Sequence, residues 1–400
     1  DKFLKKIKIR DLVILVIIIF AILTRLIGLG DRVMSHDEVN HVVPAFDLYS
    51  GLGYRHDPIT HGPLQFHLMG LSYYLFGDND FSSRLPHALF SIATIVFVSI
   101  YYRRYLGKFG SIGAGILFAI SPFMLFYGRY ARNDAICVFL GITALYAFLR
   151  FFETRHTKHL YLFTISLALN FTAKETAYIF SAQFLLFLLI VFIRDVAFSK
   201  TFDKNIKQRL ILTNILLIIG ISVSVLASVY FFNKAYSGPK PSDLSAIVNA
   251  QSSFNLNHVL SVAVPLLKFA LPGILPLIVG ISILFILRKY LNWNILHPSR
   301  AFNLLILIGT IVLPLLAPFL VRFSGMDPSA YSDPYVVLTN YIFIGFFFFL
   351  SFFIGSFWNQ TLWWKLALVF YGIYAVLYTT FFTNNMGLMT GMVGSLGHWL

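Results

Sequence analysis

Apolar stretches long enough to cross a bilayer recur along this chain and leave it few ways to fold. They fall at 11–29, 85–105, 110–128, 134–152, 160–177, 178–194, 210–232, 262–287, 302–322, 335–357 and 363–383. A helix needs about 20 such residues to cross the hydrocarbon. No single water-soluble core could hide them all. Of the 400 residues, 58% are hydrophobic and only 12% are charged, against roughly 25% charge in soluble domains. The sequence predicts an all-α fold, a polytopic transmembrane bundle of about eleven spans, read as one domain over 1–400. A shorter apolar stretch at 63–77 is expected to be re-entrant or interfacial.

Charge sets the expected orientation. About two thirds of the 31 Lys and Arg fall in alternate connecting segments, 1–10 among them, as the positive-inside rule requires of cytoplasmic loops. The N-terminus is therefore expected in the cytoplasm, and the long first loop, 30–84, outside. The same bias accounts for the net charge of +14. No charge block reads as a nucleic-acid arm, so no nucleic-acid partner is expected. Segment 195–209 reads as a basic surface against membrane lipids. A basic start followed by an apolar run without a small-residue cleavage site predicts a permanent first helix rather than a removed signal. The first residue is Asp, which suggests a processed or trimmed N-terminus. The end, TNNMGLMTGMVGSLGHWL, suggests a partial chain lacking further helices or a soluble domain. The one cysteine, Cys137, excludes an internal disulfide and reads as a small buried hydrophobe.

Acids are scarce, 17 in all, and an ionisable group beside a membrane helix is by default a functional candidate. Ser35-His36-Asp37-Glu38 follows the first span. Its adjacent carboxylates suit a general base and a supporting group, or equally a helix N-cap. In Tyr127-Gly128-Arg129-Tyr130-Ala131-Arg132-Asn133-Asp134, Arg129 and Arg132 would share a face if the turn were helical. Two guanidinium forks suit a phosphate-bearing ligand. Asp134 also suits a helix dipole. Lys174-Glu175 sits between two spans as an ion pair or a phosphate contact. The first loop holds His36, His41, His56, His61 and His67 without a metal-binding spacing. No metal or other cofactor is predicted, although a divalent metal in this loop is left open. His61-Gly62-Pro63 and Arg84-Leu85-Pro86 read first as punctuation at helix starts. There is no Gly-rich nucleotide cradle and no internal repeat.

Taken in order, HDE, HGPLQFHLMGLSYYLFGDNDFSSRLPHALFS, SPFMLFYGRYARNDAICVF and AKETAYIF resemble the GT-C superfamily of membrane glycosyltransferases. The branch is the protein mannosyltransferase-like group, which includes the lipid A aminoarabinose transferases. The chain end is similar to a bacterial and archaeal subfamily of flippase-activity-associated glycosylation proteins. The resemblance covers residues 1 to about 180; the middle spans match only in hydropathy. It implies a GT-C-like fold in a prokaryotic plasma membrane, with the active site on the extracytoplasmic side. The implied donor is a sugar on a polyprenyl phosphate, the acceptor is a protein, lipid or glycan, and transfer inverts the anomeric carbon. It implies Asp37 as catalytic base with Glu38 beside it, Asp134 as the second acidic motif, and Arg129, Arg132 and Lys174 at the lipid phosphate. Glu175, His36 and His61 are further candidates for substrate contact.

Two other readings stay open. A transporter or flippase for lipid-linked sugars would use broken helices, and Pro265, Pro272, Pro276, Pro314 and Pro318 interrupt two spans. A non-catalytic scaffold would tolerate loss of Asp37.

Overall fold

The computed structural model describes residues 9–198 and 299–400, with Gln208, Leu226 and Tyr230. The spans expected at 210–232 and 262–287, the three prolines at 265–276 and most of segment 195–209 lie outside the described residues. Within those residues the fold is that of an all-α polytopic membrane protein, without strands. The chain forms two compact units, 1–180 with 365–391, and 181–364 with 392–400.

The first unit begins with α1 (Ile9–Leu26). One stripe of α1, Ile14, Ile17, Ala21 and Arg25, is buried at the three-to-four-residue spacing of a helix face. Its other faces expose Leu12, Leu15, Val16, Ile19 and Leu23. A helix apolar all round is stable in lipid rather than in water. Next come α2 (His36–Tyr49), α3 (Leu64–Phe76), α4 (Asp80–Tyr101) and α5 (Arg103–Ile120). They are followed by α6 (Pro122–Tyr127), α7 (Asp134–Thr154), α8 (Thr157–Phe171) and α9 (Thr176–Phe198). Helix α4 is central and packs against α1, α3, α5 and α7, while α7 pairs with α8 and α2 with α3. Where α4 meets α5, a Cβ on Gly115 would lie 2.1 Å from Ser99 Oγ; small residues let membrane helices approach this closely.

Two boundaries differ from the sequence expectation. Helix α4 starts at Asp80 rather than near 85, because Asn79 and Ser82 form a reciprocal capping box that satisfies two free N–H groups. Pro86 therefore lies inside the helix. Lacking an N–H, it leaves the carbonyl of Ser82 unbonded, and Ser72 Oγ of α3 donates to that oxygen at 2.7 Å. The expected span 110–128 is broken at Ser121, whose extended backbone (ψ 124°) is the conformation imposed by the following Pro122. The short stretch at 63–77 is the helix α3.

The second unit contains the rest of α9, then α10 (Arg300–Val312), a 3-10 turn Leu313–Leu316, α11 (Ala317–Phe323) and the first arm of α12 (Pro334–Tyr378). Pro314 and Pro318 break the expected span 302–322 there. Helix α12 is two expected spans joined at Asn359, whose backbone is extended (φ −163°). Asn359 Oδ1 caps the second arm by accepting from Leu362 N–H at 3.1 Å. On either side of the break, Trp358 and Trp363 donate their indole N–H groups to Asn303 and Thr310 at 2.8 and 2.9 Å. An indole N–H buried in apolar surroundings needs such a partner.

Five helices are long and apolar enough to cross a membrane among the described residues: Asp80–Tyr101, Asp134–Thr154, Thr176–Phe198, Arg300–Phe323 and Tyr335–Tyr378.

Candidate functional site: two carboxylates and an ionic rim

Every candidate site residue falls in the first unit, where three connections meet: the start of α2, the 128–133 turn before α7, and the 172–175 turn before α9. Ser35 caps α2. Its Oγ accepts from Glu38 N–H while Glu38 Oε2 accepts from Ser35 N–H at 3.1 Å, so Glu38 completes a capping box.

Glu38 does more than cap. Arg84 of α4 grips it with both prongs, Nε to Oε1 at 2.8 Å and Nη2 to Oε2 at 3.1 Å. Arg32 donates to Oε2 at 2.8 Å and the Ala131 N–H to Oε1 at 3.2 Å. Arg84 also donates to the carbonyls of Leu29 and Arg32. Both Glu38 and Arg84 are almost fully buried. Burial pushes the Glu38 carboxyl upward, but the Arg84 donors and the Ser35 and Ala131 N–H groups prevail and hold it below the usual carboxylate range. Its oxygens are occupied, and the arrangement ties α2, α4 and the 128–133 turn together. Arg32 lies over the rings of Phe126 and Tyr130, 5.3 and 5.1 Å from their centroids, a cation–π arrangement. The Tyr130 hydroxyl meets Ser35 Oγ.

Asp37, one residue earlier, is half exposed. Its partner is Arg132, whose Nη1 donates at 3.3 Å. Arg132 Nε lies 3.7 Å from Asp134, and Lys174 Nζ donates to the other oxygen of Asp134 at 2.9 Å. Asp37, Arg132, Asp134 and Lys174 therefore form a rim of alternating charge across the three connections. All four side chains are partly exposed.

Arg129 does not join this rim. Residues 128–133 form a turn rather than a helix, so the two arginines diverge. Arg129 donates to the carbonyls of Thr24, in the last turn of α1, and of Gly28 just beyond it, at 2.7 Å each. His36 is exposed at the first turn of α2. Neither residue meets Asp37 through a hydrogen bond.

The His61-Gly62-Pro63 segment docks on the 172–173 turn. Gly62 N–H donates to the Ala173 carbonyl at 3.1 Å, and Leu64 N–H donates to that of Thr172 at 2.9 Å. A Cβ on Gly62 would stand 2.2 Å from the Thr172 oxygen, so any side chain there would force the two backbones apart. The docking brings His61 Nδ1 to Glu175, donating at 2.8 Å. His61 stacks on His41 at 6.2 Å, and Gln65 Nε2 donates to His41 Nδ1 at 2.8 Å, which leaves the ring proton on Nε2. Burial, aided by His61, His87, Arg132 and Lys174 nearby, pushes the His41 imidazole down to about 3. It is neutral near pH 7. Burial also lowers His56 to about 4. Among the described residues no three His, Cys, Asp or Glu side chains converge as metal ligands would. Cys137 is buried and free.

Arg32, Arg84, His41 and Gln65 were not singled out as site residues from sequence. Arg84 carried a usable signal, a full charge at the mouth of an apolar span, and Gln65 a weaker one, a polar group in an apolar run. What Arg84 pairs with depends on tertiary structure alone.

Residues 60–224 match the sequence profile of the dolichyl-phosphate-mannose-protein mannosyltransferase family. The match contains the 127–134 and 172–175 segments and begins after Asp37 and Glu38. It is consistent with the GT-C superfamily. No curated protein matches the chain.

Proposed function

We propose that the chain is a membrane glycosyltransferase that moves a sugar from a polyprenyl phosphate to an acceptor hydroxyl on the extracytoplasmic side, with inversion. The observation that carries this reading is the rim, in which a half-exposed carboxylate lies beside partly exposed cations at the ends of apolar helices. Asp37 takes the acceptor proton. The acceptor oxygen attacks the anomeric carbon, and the bond from that carbon to the phosphate oxygen breaks. The electron pair leaves with the polyprenyl phosphate, and attack opposite the leaving group inverts the centre.

A leaving group that gains charge is stabilised by cations placed where that charge develops. Lys174 and Arg132 fill this role, exchanging their carboxylate partners for phosphate oxygens. Asp134 holds both cations when the phosphate is absent. Glu175 and His61 position the Lys174 turn, and Glu38 fixes the backbone from which Asp37 projects. Arg129 supports the same site through the end of α1, and His36 lies at the acceptor's approach. The sugar and the acceptor are not specified by these residues. The family match supports a lipid-phosphate donor, and the resemblance of the chain end supports a prokaryotic flippase-associated subfamily.

A second reading, transport of a lipid-linked sugar, draws on the helix breaks at Leu313–Leu316 and Asn359, since interrupted helices build many transporter sites. The test supplies the purified chain in liposomes with a panel of polyprenyl-phosphate sugars and acceptor peptides, lipids and glycans. Release of polyprenyl phosphate together with glycosylated acceptor is the expected result. Movement of the donor between leaflets without release would replace transfer by transport.

A further inference from the structure

Beneath the rim lies one buried titratable side chain, His41, that transfer as written above does not use. It follows Asp37 by four residues on α2, so the two share a helix face, and its ring is almost wholly buried. Two contacts fix that ring. Gln65 of α3 donates to Nδ1 at 2.8 Å, and the His61 ring stacks on it at 6.2 Å. His61 is itself held by Glu175, the neighbour of Lys174. His41 is therefore tied to two of the three connections that build the rim.

The bond from Gln65 decides what His41 can offer. With its Nδ1 lone pair taken, the neutral ring carries its proton on Nε2. That N–H has no hydrogen-bond partner among the described residues. Its nitrogen is also not one of the sealed polar atoms of this region, as Gln65 Oε1 and Glu175 Oε1 are. Burial first, and then His61, His87, Arg132 and Lys174, keep the imidazole uncharged.

A phosphate is better served by the cations Lys174 and Arg132; a neutral, immobilised N–H suits an uncharged hydroxyl. Position says which one. Asp37 marks the acceptor end of the reaction and Lys174 the phosphate end, so the transferred sugar must lie between them. His41 stands one helical turn from Asp37. It is also close enough to Arg132 and Lys174 for their charges to act on its ring. That places it under the middle of the site, where the sugar ring would rest.

We propose that His41, held by Gln65, is a specificity-determining residue whose Nε2–H donates to one ring hydroxyl of the donor sugar. The assignment rests on the transfer reading above. Gln65 acts through His41 and is a positioning residue.

The test uses the purified full chain with polyprenyl-phosphate mannose, polyprenyl-phosphate glucose and the monodeoxy analogues of each. It measures kcat/KM for transfer and, separately, binding without turnover. In the wild-type chain, removal of one particular hydroxyl is expected to cost about tenfold, the worth of one hydrogen bond whose buried donor is left unpaired. In His41→Phe that one penalty disappears, while the penalties for the other hydroxyls persist. Gln65→Met, which removes the bond that fixes the ring, reduces the same penalty and no other, and it carries the test if His41→Phe fails to fold. A His41 that only supports the fold would lower the rate for every donor alike. The same pattern of deoxy penalties in the wild-type chain and in the variants therefore overturns the proposal. If no donor is transferred, yet one binds and its penalty at a single hydroxyl is lost in the variants, the His41 assignment stands and the transfer reading falls.

Discussion

The knot around Glu38 and the rim around Asp37 are built from adjacent carboxylates and behave as opposites. Glu38 is buried, accepts from Arg84, Arg32 and two backbone N–H groups, and spans three structural elements. Asp37 is half exposed and meets a single guanidinium at 3.3 Å. The helix explains the divergence. Consecutive residues at a helix start point about 100° apart, and the capping box turns Glu38 back against Ser35 and into the protein. Asp37 is left facing the surface where Arg132 and Lys174 stand. A carboxylate whose oxygens are all bonded can hold structure but has no free site for a proton, whereas one with a weak, exchangeable partner can take one.

The largest expected effect breaks the knot. Arg84→Met leaves the Glu38 charge buried with fewer donors and should cost about 3–5 kcal/mol of stability, the usual price of orphaning a buried ion. A thermal melt reads this directly. The double variant Glu38→Gln/Arg84→Met should recover part of the loss, since removing both partners of a buried pair is milder than removing one.

The next acts on the rim. Lys174→Met should raise the donor KM by about tenfold to a hundredfold, the worth of a charge-assisted hydrogen bond. Melting should shift little, because the pair it makes with Asp134 is partly exposed. An unchanged donor KM would remove Lys174 from the phosphate site.

Gly62→Ala tests how the rim is held. A Cβ 2.2 Å from the Thr172 oxygen must push backbone apart, at about 1–3 kcal/mol, and should carry His61 away from Glu175. A Tm drop accompanied by lower activity is expected, and an unchanged Tm would show the docking to be slack.

The last effect is pH dependence, which is graded rather than abrupt. His41 and His56 take up protons in the folded chain only near 3 and 4, against about 6.5 when unfolded. The unfolded state therefore binds more protons below pH 6.5, and stability falls as pH drops from there. The contribution of Glu38, whose carboxyl is lowered, is lost only below its usual value of 4.5, so the window between pH 6.5 and 4.5 isolates the histidines. Tm should decline across it, less steeply in His41→Gln.

Much of this was legible in the sequence. Apolar length alone gave the membrane helices, and Ser35 with Glu38 three residues on spells a capping box. The 127–134 and 174–175 segments were recognisable as charged turns beside spans. What sequence could not supply was pairing over distance. Arg84 reaches Glu38 across 46 residues, and Lys174 reaches Asp134 across 40. The divergence of Arg129 from Arg132 depends on a turn whose conformation no periodicity reveals. Ser121-Pro122 did carry the signal for the break in the expected span 110–128, but length and hydropathy outweighed it.

The most direct test compares Asp37→Asn with Glu38→Gln in the same purified chain, measuring sugar transfer and thermal melting together. The account expects Asp37→Asn to melt like the parent and to lose transfer by about a hundredfold or more, the worth of a general base, while Glu38→Gln lowers Tm. Transfer that persists in Asp37→Asn and disappears in Glu38→Gln at unchanged Tm would contradict it, moving the chemistry to the buried carboxylate.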